Sequence, residues 1–293
     1  MNDAPQLSLV MASVGRADEV DRLLDALLAQ TAGAIEWIVA DQNADERLLP
    51  AVERARAAGL PVQHLRLPQP NLSAARNAGI AAARGRWIAF PDDDCWYEPE
   101  AVERLLQALA AQAAWRGAVM DWVEQSQARG RPLQAGERLD LAAWRRFRGG
   151  DASSIAIVLD RTLLQALGGF DERLGVGRRY GAAEETDLLL RALAAGAQIG
   201  RVPQARVHHA LAQAPQVDRR GWRQALSRGR GTGALYVKHR LAWAVRLRGL
   251  VGPCWQAVRA GQVGGLWLAL ATTLGRLQGA LGWWRDQGRE AGS

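Results

Sequence analysis

Short apolar runs alternate with longer amphipathic segments over the first 115 residues of the chain. A run that is apolar at every position predicts a buried strand, and apolar residues spaced three and four apart predict a helix. The predicted strands are residues 7–14, 35–40, 62–67 and 86–90, and the predicted helices are residues 17–30, 46–58, 73–84 and 99–113. Strands that alternate with single helices indicate an α/β fold with a mostly parallel sheet and helices on both faces.

The pattern becomes less regular after residue 115. Further strands are predicted at residues 117–123, 154–159, 198–202 and 205–209, and a helix at residues 183–195. The remainder, residues 219–287, is helical in outline but is interrupted by glycines and by Pro253. We therefore expect an α/β domain over residues 1–214 and a helical tail over residues 215–293.

The formal net charge of +7 is concentrated in the tail. Residues 1–214 contain 24 arginines and 27 acidic residues, whereas residues 215–293 contain 13 basic and three acidic residues. A basic segment suits an anionic partner, either nucleic acid or a membrane surface. Tryptophans are interleaved with the arginines and favour membrane interfaces. The apolar run 263–274 has no use in nucleic-acid binding, so the predicted partner is an anionic membrane surface and not nucleic acid.

The same region argues against a membrane-spanning helix. Its longest uncharged run, residues 260–275, contains four glycines and is shorter than the ~20 apolar residues that a spanning helix needs. The N-terminus shows neither basic residues nor a signal-length apolar core. We therefore expect a cytoplasmic protein that is peripheral on the inner face of the cell membrane.

Acidic residues follow two of the predicted strands. Asp92, Asp93 and Asp94 come directly after the strand 86–90, and Asp41 ends the strand 35–40. Three adjacent carboxylates repel one another unless they are solvated or bind a cation. The strand ends of an open α/β sheet are where ligands bind, and carboxylates there can hold Mg²⁺ or Mn²⁺. A solvated acidic turn is the alternative.

Two other clusters could carry chemistry. Glu184, Glu185 and Asp187 open a predicted helix, where the helix dipole accounts for one or two acids and a site would account for the rest. His208 and His209 end a strand, where a ligand role and a structural role are both open. No Rossmann, P-loop or nucleophile-elbow glycine motif occurs, which weighs against a nicotinamide dehydrogenase, a P-loop enzyme and an α/β-hydrolase.

Five segments in a fixed order carry a family resemblance over about residues 6–210. They read SLVMASVGR, EWIVADQN, NLSAARNAGIAAARGRWIAFPDDDCWYEP, GGFDERLG and EETDLLLRALAAG. In this order they resemble the family 2 glycosyltransferases with the GT-A fold, as found in bacterial enzymes that build surface polysaccharides. The resemblance implies a Rossmann-like GT-A domain, a nucleotide-sugar donor and a saccharide or lipid-linked acceptor.

The resemblance also implies roles for individual residues. Glu185 takes the position of the catalytic base, with Glu184 and Asp187 as alternatives. Nucleotide-sugar contacts fall to Asp41 at the base, Arg76 near the nucleotide, Asp92 at the ribose, and Asp93. Metal ligation falls to Asp94 and His209, with His208 as the alternative histidine.

The chemistry of these residue types agrees with such a transfer. A nucleoside diphosphate leaves readily only when its charge is neutralised, and Mg²⁺ or Mn²⁺ supplies that neutralisation as a Lewis acid. A carboxylate base takes the proton of the attacking hydroxyl. One metal and one base suffice for a single displacement, which predicts inversion at the anomeric carbon.

Two other functions remain open from the sequence. The first is a nucleotidyltransferase of similar architecture, which would usually carry a glycine-rich basic loop after its first strand. This chain has ASVGRADE there, with one glycine and one arginine. The second is a non-enzymatic protein that binds membrane or nucleic acid through its basic tail.

Overall fold

The first half of the chain alternates strands and helices as predicted. The computed structural model describes residues 4–130, 133–148, 152–211, 216–261 and 263–290. The elements in this half are β1 (Leu7–Ser13), α1 (Asp18–Leu28), β2 (Ile35–Asp41), α2 (Leu49–Ala57), β3 (Val62–Arg66), α3 (Leu72–Ala82), β4 (Trp87–Ala89), β5 (Trp96–Tyr97) and α4 (Ala101–Ala111). Only the two-residue β5 lies outside the predicted pattern, because so short a strand leaves no alternation to detect.

The second half contains more helix than the sequence predicts. Its elements up to residue 208 are β6 (Trp115–Trp122), α5 (Val123–Arg129), α6 (Leu141–Arg145), β7 (Ile157–Asp160), α7 (Arg161–Ala166), α8 (Glu184–Ala194) and β8 (Gln198–His208). The prediction of two separate strands around Pro203 is wrong, because β8 runs through the proline. Its register against β6 shifts there, with Val202 opposite Met120 and Arg206 opposite Asp121. Proline lacks the N–H group that an unbroken ladder needs, so the shift accommodates it.

The described strands form one mixed sheet in the order β3-β2-β1-β4-β7-β6-β8-β5. β1 pairs in parallel with both β2 and β4, and β2 pairs in parallel with β3. β7 and β5 join the sheet in antiparallel pairs. The parallel pairs bring the C-terminal ends of β1, β2 and β4 to one edge, where Ser13 lies opposite Asp41. That edge is the position at which open α/β sheets bind ligands.

A glycine brings α3 close to the sheet and thereby places Arg76. A Cβ atom on Gly79 would lie only 2.2 Å from Cγ1 of Val10, a completely buried residue of β1. Arg76 lies one turn earlier on the same side of α3 and is 1% exposed. The close helix–sheet packing therefore holds a buried arginine beside the sheet.

Contacts divide the chain into two compact units. Unit 1 comprises Met1–Asp140, Asp151–Gly169 and Arg191–Ala212, and unit 2 comprises Leu141–Gly150, Phe170–Leu190 and Gln213–Ser293. Unit 1 contains the sheet. Unit 2 contains the three C-terminal helices α9 (Arg219–Lys238), α10 (Trp243–Arg259) and α11 (Val263–Glu290). The boundary predicted after residue 214 lies outside the described residues, and the grouping of Phe170–Leu190 with the tail has no sequence signal.

Glycines bring two helices of unit 2 into backbone contact. A Cβ atom on Gly229 would lie 2.5 Å from the carbonyl oxygen of Thr272, and one on Gly233 would lie 2.0 Å from that of Arg276. α9 and α11 therefore pack at a distance that only glycine allows at these two positions. Among the described helices, none combines the length and the apolar character needed to cross a bilayer.

Candidate functional site

Two carboxylates and one imidazole converge at the sheet edge of unit 1. One ligand atom from each of Asp92, Asp94 and His209 lies within 4.8 Å of the others. The two aspartates follow β4, and His209 follows β8. Nε2 of His209 lies 3.0 Å from Oδ1 of Asp94. Two neighbouring ligands at about 2.1 Å from an octahedral ion lie about 3 Å apart, so this separation fits a shared divalent cation.

The charges of the cluster also fit a cation. The contact with His209 lowers the pKa of Asp94 to about 2, and the same contact raises the pKa of His209. Nδ1 of His209 is buried and has no hydrogen-bond partner in the described structure. Carboxylate oxygens with one imidazole nitrogen are a donor set that divalent ions such as Mn²⁺ accept. Since a proton competes with the ion for the imidazole, loading of the site should weaken at low pH.

Arg16 is a functional candidate that the sequence reasoning missed. Its Nη1 donates to Oδ1 of Asp93 at 2.9 Å and also to Oδ2 of Asp94. Oγ of Ser13 donates to Oδ2 of Asp93 at 2.6 Å. Burial raises the pKa of Asp93, while Ser13 and Arg16 oppose that rise. Arg16 follows β1 at the sheet edge, and that position was the signal that could have identified it.

Asp41 is buried, and both of its carboxylate oxygens accept hydrogen bonds within unit 1. Its Oδ1 accepts from the Asn43 backbone N–H at 2.9 Å, and its Oδ2 contacts Nε2 of His64 at 2.8 Å and Nη1 of Arg66 at 3.0 Å. Burial raises the pKa of Asp41, but these hydrogen bonds outweigh burial and the net pKa is lowered. Asp41 is therefore a charged anchor for two basic side chains on β3, neither of which the sequence reasoning assigned to the site.

Arg76 connects α3 to the acidic cluster. Its Nη2 lies 3.0 Å from Oδ1 of Asp92, and its side chain is almost completely buried. Asp92 is about one-third exposed, so one side of its carboxylate contacts the arginine and the rest remains accessible. The structure thus brings Arg76 together with Asp92.

The two histidines have different surroundings. The ring of His208 stacks on Trp96 with centroids 5.1 Å apart, and its Nδ1 lies 2.9 Å from Oε1 of Glu124. Oε2 of Glu124 accepts from the His209 backbone N–H at 3.1 Å. Successive residues of an extended chain point to opposite sides. The structure therefore places His209 with the carboxylates, while His208 packs against an aromatic ring and glutamates.

The remaining candidates lie in unit 2, at the start of α8. Glu184 is buried and Glu185 is half-buried. Asp187 is completely buried, and its Oδ1 lies 2.7 Å from Nζ of Lys238 and 2.8 Å from Nε2 of His239. The first turn of α8 is thus an acidic segment anchored through its most buried carboxylate.

The family comparison covers the strands and helices of the first half of the chain. Residues 8–164, more than half of the chain, match the family model described as Glycosyl transferase family 2. The succinoglycan biosynthesis protein ExoO of Rhizobium meliloti (strain 1021) is 31% identical over 145 residues, which cover 48% of this chain and 40% of that protein. The chain thus aligns with less than half the length of that relative.

Two solved structures share the architecture. The mannosyltransferase PcManGT from Pyrobaculum calidifontis, in complex with GDP-Man and Mn²⁺, aligns at a TM-score of 0.60 and 15% identity, covering 99% of this chain and 81% of that one. S. aureus TarS 1–349, in complex with UDP-GlcNAc, aligns at a TM-score of 0.59 and 13% identity, covering 93% and 91%. Likeness at these identities concerns the fold alone, and it confirms the predicted α/β, GT-A class with C-terminal helices.

Proposed function

The chain belongs to glycosyl transferase family 2, and on that premise we propose that it transfers a sugar from a nucleotide-sugar donor to an acceptor hydroxyl with a divalent metal ion, Mg²⁺ or Mn²⁺. The observation that carries this proposal is the convergence of Asp92, Asp94 and His209 at the sheet edge. The nucleotide sugars bound by PcManGT and TarS support the donor class. The relative in succinoglycan biosynthesis supports a saccharide or lipid-linked acceptor in bacterial surface polysaccharide or glycolipid synthesis.

In this proposal the residues of unit 1 bind the donor. Asp94 and His209 would hold the metal ion, which neutralises the diphosphate when bound. Asp92, predicted from the sequence to lie at the ribose, would join them as a third ligand because it lies in the same cluster. Arg16 contacts Asp94 and Arg76 contacts Asp92, so two positive charges offset the negative charge of these carboxylates. These fixed groups are oriented before the donor arrives, and preorganised charges of this kind are the usual source of transition-state stabilisation.

The acceptor proton needs a separate carboxylate. We assign the general base to Glu185 at the start of α8, where it is half-buried. Partial burial favours a carboxylate that can both take a proton and meet a substrate. With a single base and a single metal group, the acceptor oxygen attacks the anomeric carbon in one step as the nucleoside diphosphate leaves.

Single displacement predicts the stereochemistry of the product. Proton NMR of the first product, recorded before mutarotation, should show the anomeric configuration opposite to that of the donor sugar. The reaction is run with a panel of UDP-, GDP- and dTDP-sugars and candidate acceptors in the presence of Mn²⁺. A retained configuration would contradict the one-base mechanism while leaving glycosyl transfer itself intact.

Two exposed apolar stripes in unit 2 support a second part of the proposal, contact with a membrane. Along each helix the residues are spaced three and four apart, so they share one side. The stripe of α10 consists of Trp243, Leu247, Val251, Trp255 and Val258, and the stripe of α11 consists of Leu270, Leu274, Leu277, Leu281 and Trp284. These side chains are between 41% and 74% exposed.

Charge favours an anionic lipid surface over a second copy of the chain. Residues 215–293 carry a formal charge of +10, so two such surfaces would repel each other. Each basic residue near an anionic leaflet contributes about 1 kcal/mol to binding. Exposed tryptophans beside leucines suit the headgroup region. We therefore propose that the stripes insert into the interface of an anionic membrane.

Vesicle binding of the full-length chain tests this surface. Leu274→Gln combined with Leu281→Gln preserves charge and should weaken co-sedimentation with vesicles of 30% phosphatidylglycerol by about tenfold or more, since burying a leucine is worth roughly 1.5–3 kcal/mol. Point variants are preferable to truncation after residue 214, because truncation would also remove the partners of Asp187.

The matched control replaces Ala110 and Ala113 by glutamine on the exposed surface of unit 1. It should sediment with vesicles like the wild type. Equal sedimentation of the stripe variant and the control would contradict the proposal, as would a wild type without preference for anionic lipid. A lipid-free dimer of the wild type that the stripe variant dissociates would identify a second copy as the occupant.

A further inference from the structure

The segment that leads into α8 lies directly on the backbone of α9. A Cβ atom on Gly231 would lie 2.2 Å from the carbonyl oxygen of Ala182. A Cβ atom on Gly181 would lie 2.0 Å from Oγ of Ser227. Both contacts lie within unit 2. Since each glycine makes room for the other element, α9 determines where this segment runs.

The residue immediately before α8 has an unusual backbone conformation. Ala183 has a φ of +79°, in the left-handed region that an L-residue with a Cβ atom rarely adopts. Its carbonyl oxygen accepts from the Asp187 backbone N–H at 2.9 Å, which closes the first turn of α8. Such a conformation persists only where the surrounding structure determines it. The start of α8 therefore depends on external contacts.

A largely buried ionic network around the completely buried Asp187 supplies those contacts from the C-terminal end of α9. Nζ of Lys238 lies 2.7 Å from Oδ1 of Asp187 and 2.6 Å from Oδ2 of Asp171. Nε2 of His239 lies 2.8 Å from the same Asp187 oxygen. Burial raises the pKa of Asp171, but hydrogen bonds from Arg173 and Lys238 outweigh burial and hold the pKa well below its usual range. The network thus keeps Asp171 charged and joins it to Asp187 through one lysine inside unit 2.

The far end of α11 holds the same segment from a second direction. Tyr180 donates through its hydroxyl to Oδ2 of Asp286 at 2.6 Å, and its ring packs edge-on against Trp283. Tyr180 and Trp283 share a buried apolar cluster with Leu174 and Ala234. The C-terminal helices are therefore a platform under the segment that ends at Glu184 and Glu185.

We propose that Lys238 and His239 are positioning residues for sugar transfer. They hold Asp187, Asp187 lies in the first turn of α8, and that turn carries Glu185, the base of the proposed function on which this inference rests. A buried ion pair adds little net stability compared with an apolar pair of the same size, so stability alone does not account for the network. The need to place a base precisely does account for the network, because a misplacement of about 1 Å can cost about 10²-fold in rate.

The test compares two Lys238 variants with a control in the full-length chain. Lys238→Met removes the cation and keeps the length of the side chain, whereas Lys238→Arg keeps the charge. Arg223→Met removes the same charge from an exposed position of α9. Lys238→Met should lower kcat by about tenfold to 10²-fold with the donor KM within about twofold of wild type. Lys238→Arg should recover much of the loss, and the Arg223 control should behave like wild type.

Hydrogen exchange measures positioning without any need for activity. Backbone amides of residues 187–190 make the first intrahelical hydrogen bonds of α8, and they should exchange at least tenfold faster in Lys238→Met and at the wild-type rate in Arg223→Met. A wild type that transfers no sugar would defeat the proposed function, while these amides would still report whether Lys238 orders α8.

Unchanged kcat together with unchanged protection of these amides in Lys238→Met would overturn the inference. Equal losses of kcat, donor binding and melting temperature would overturn it too, because they would indicate general destabilisation. If Lys238→Met does not fold, His239→Gln takes its place, since His239 contacts the same Asp187 oxygen. An unchanged kcat in the His239→Gln variant would likewise overturn the inference.

Discussion

Asp94→Ala is expected to abolish measurable sugar transfer and to remove the metal-dependent part of donor binding. Asp94 contacts both His209 and Arg16, so its loss removes a proposed metal ligand and leaves the arginine beside Asp93 alone. A metal ion contributes several kcal/mol of charge stabilisation, which corresponds to a loss of about 10³-fold or more in rate. Release of nucleoside diphosphate from the donor measures the effect, with and without added Mn²⁺.

The control for this change is Glu19→Ala, which removes an exposed carboxylate from α1 and should leave turnover intact. The wild type treated with EDTA should behave like the Asp94→Ala variant and recover when Mn²⁺ or Mg²⁺ is restored. Full turnover of the wild type in EDTA would contradict the metal assignment.

Glu185→Gln should lower the rate of transfer by about 10²–10⁴-fold with donor affinity close to that of the wild type. The amide preserves the shape of the side chain but cannot accept a proton at neutral pH. Measurement of kcat with saturating acceptor, together with donor titration by calorimetry, separates the chemical step from binding.

The adjacent Glu184→Gln is the matched control, because it makes the same change one residue earlier in the same helical turn. It should cost much less activity than Glu185→Gln. The reverse order of effects would transfer the role of base to Glu184, and a weakened donor affinity in Glu185→Gln would argue for a binding role instead.

The sequence is sufficient to predict the sheet edge because apolar runs and parallel topology determine it. Buried strands that alternate with helices must pair in parallel, and their ends then converge. Asp92 and Asp94 follow such a strand, so their place at this edge is predictable from the pattern, whereas a place for His209 beside Asp94 was implied only by the family resemblance. Arg16 was missed because an arginine after a strand is common and its pairing with Asp93 depends on side-chain geometry.

Other features depend on details that a single sequence does not show. One position along β8 separates His208, which stacks on Trp96, from His209, which contacts Asp94, and the shift at Pro203 sets that register. The grouping of Phe170–Leu190 with the C-terminal helices depends on long-range contacts. Those contacts include the close approach of Gly231 and the ion pairs of Lys238, and neither leaves a hydrophobic pattern in the sequence.

Metal-dependent binding of a nucleotide sugar is the central claim, and a thermal-shift panel tests it most directly. UDP-, GDP- and dTDP-sugars are added to the wild type and to Asp94→Ala, with Mn²⁺ or with EDTA. A ligand that binds only the folded state at 100 times its Kd stabilises that state by about 2.7 kcal/mol, which is readily detected as a higher melting temperature. At least one nucleotide sugar should stabilise the wild type with Mn²⁺, and neither EDTA nor the Asp94→Ala variant should show that gain. The claim would be contradicted if a nucleotide sugar stabilised the protein equally in EDTA. It would also be contradicted if none of the nucleotide sugars raised the melting temperature.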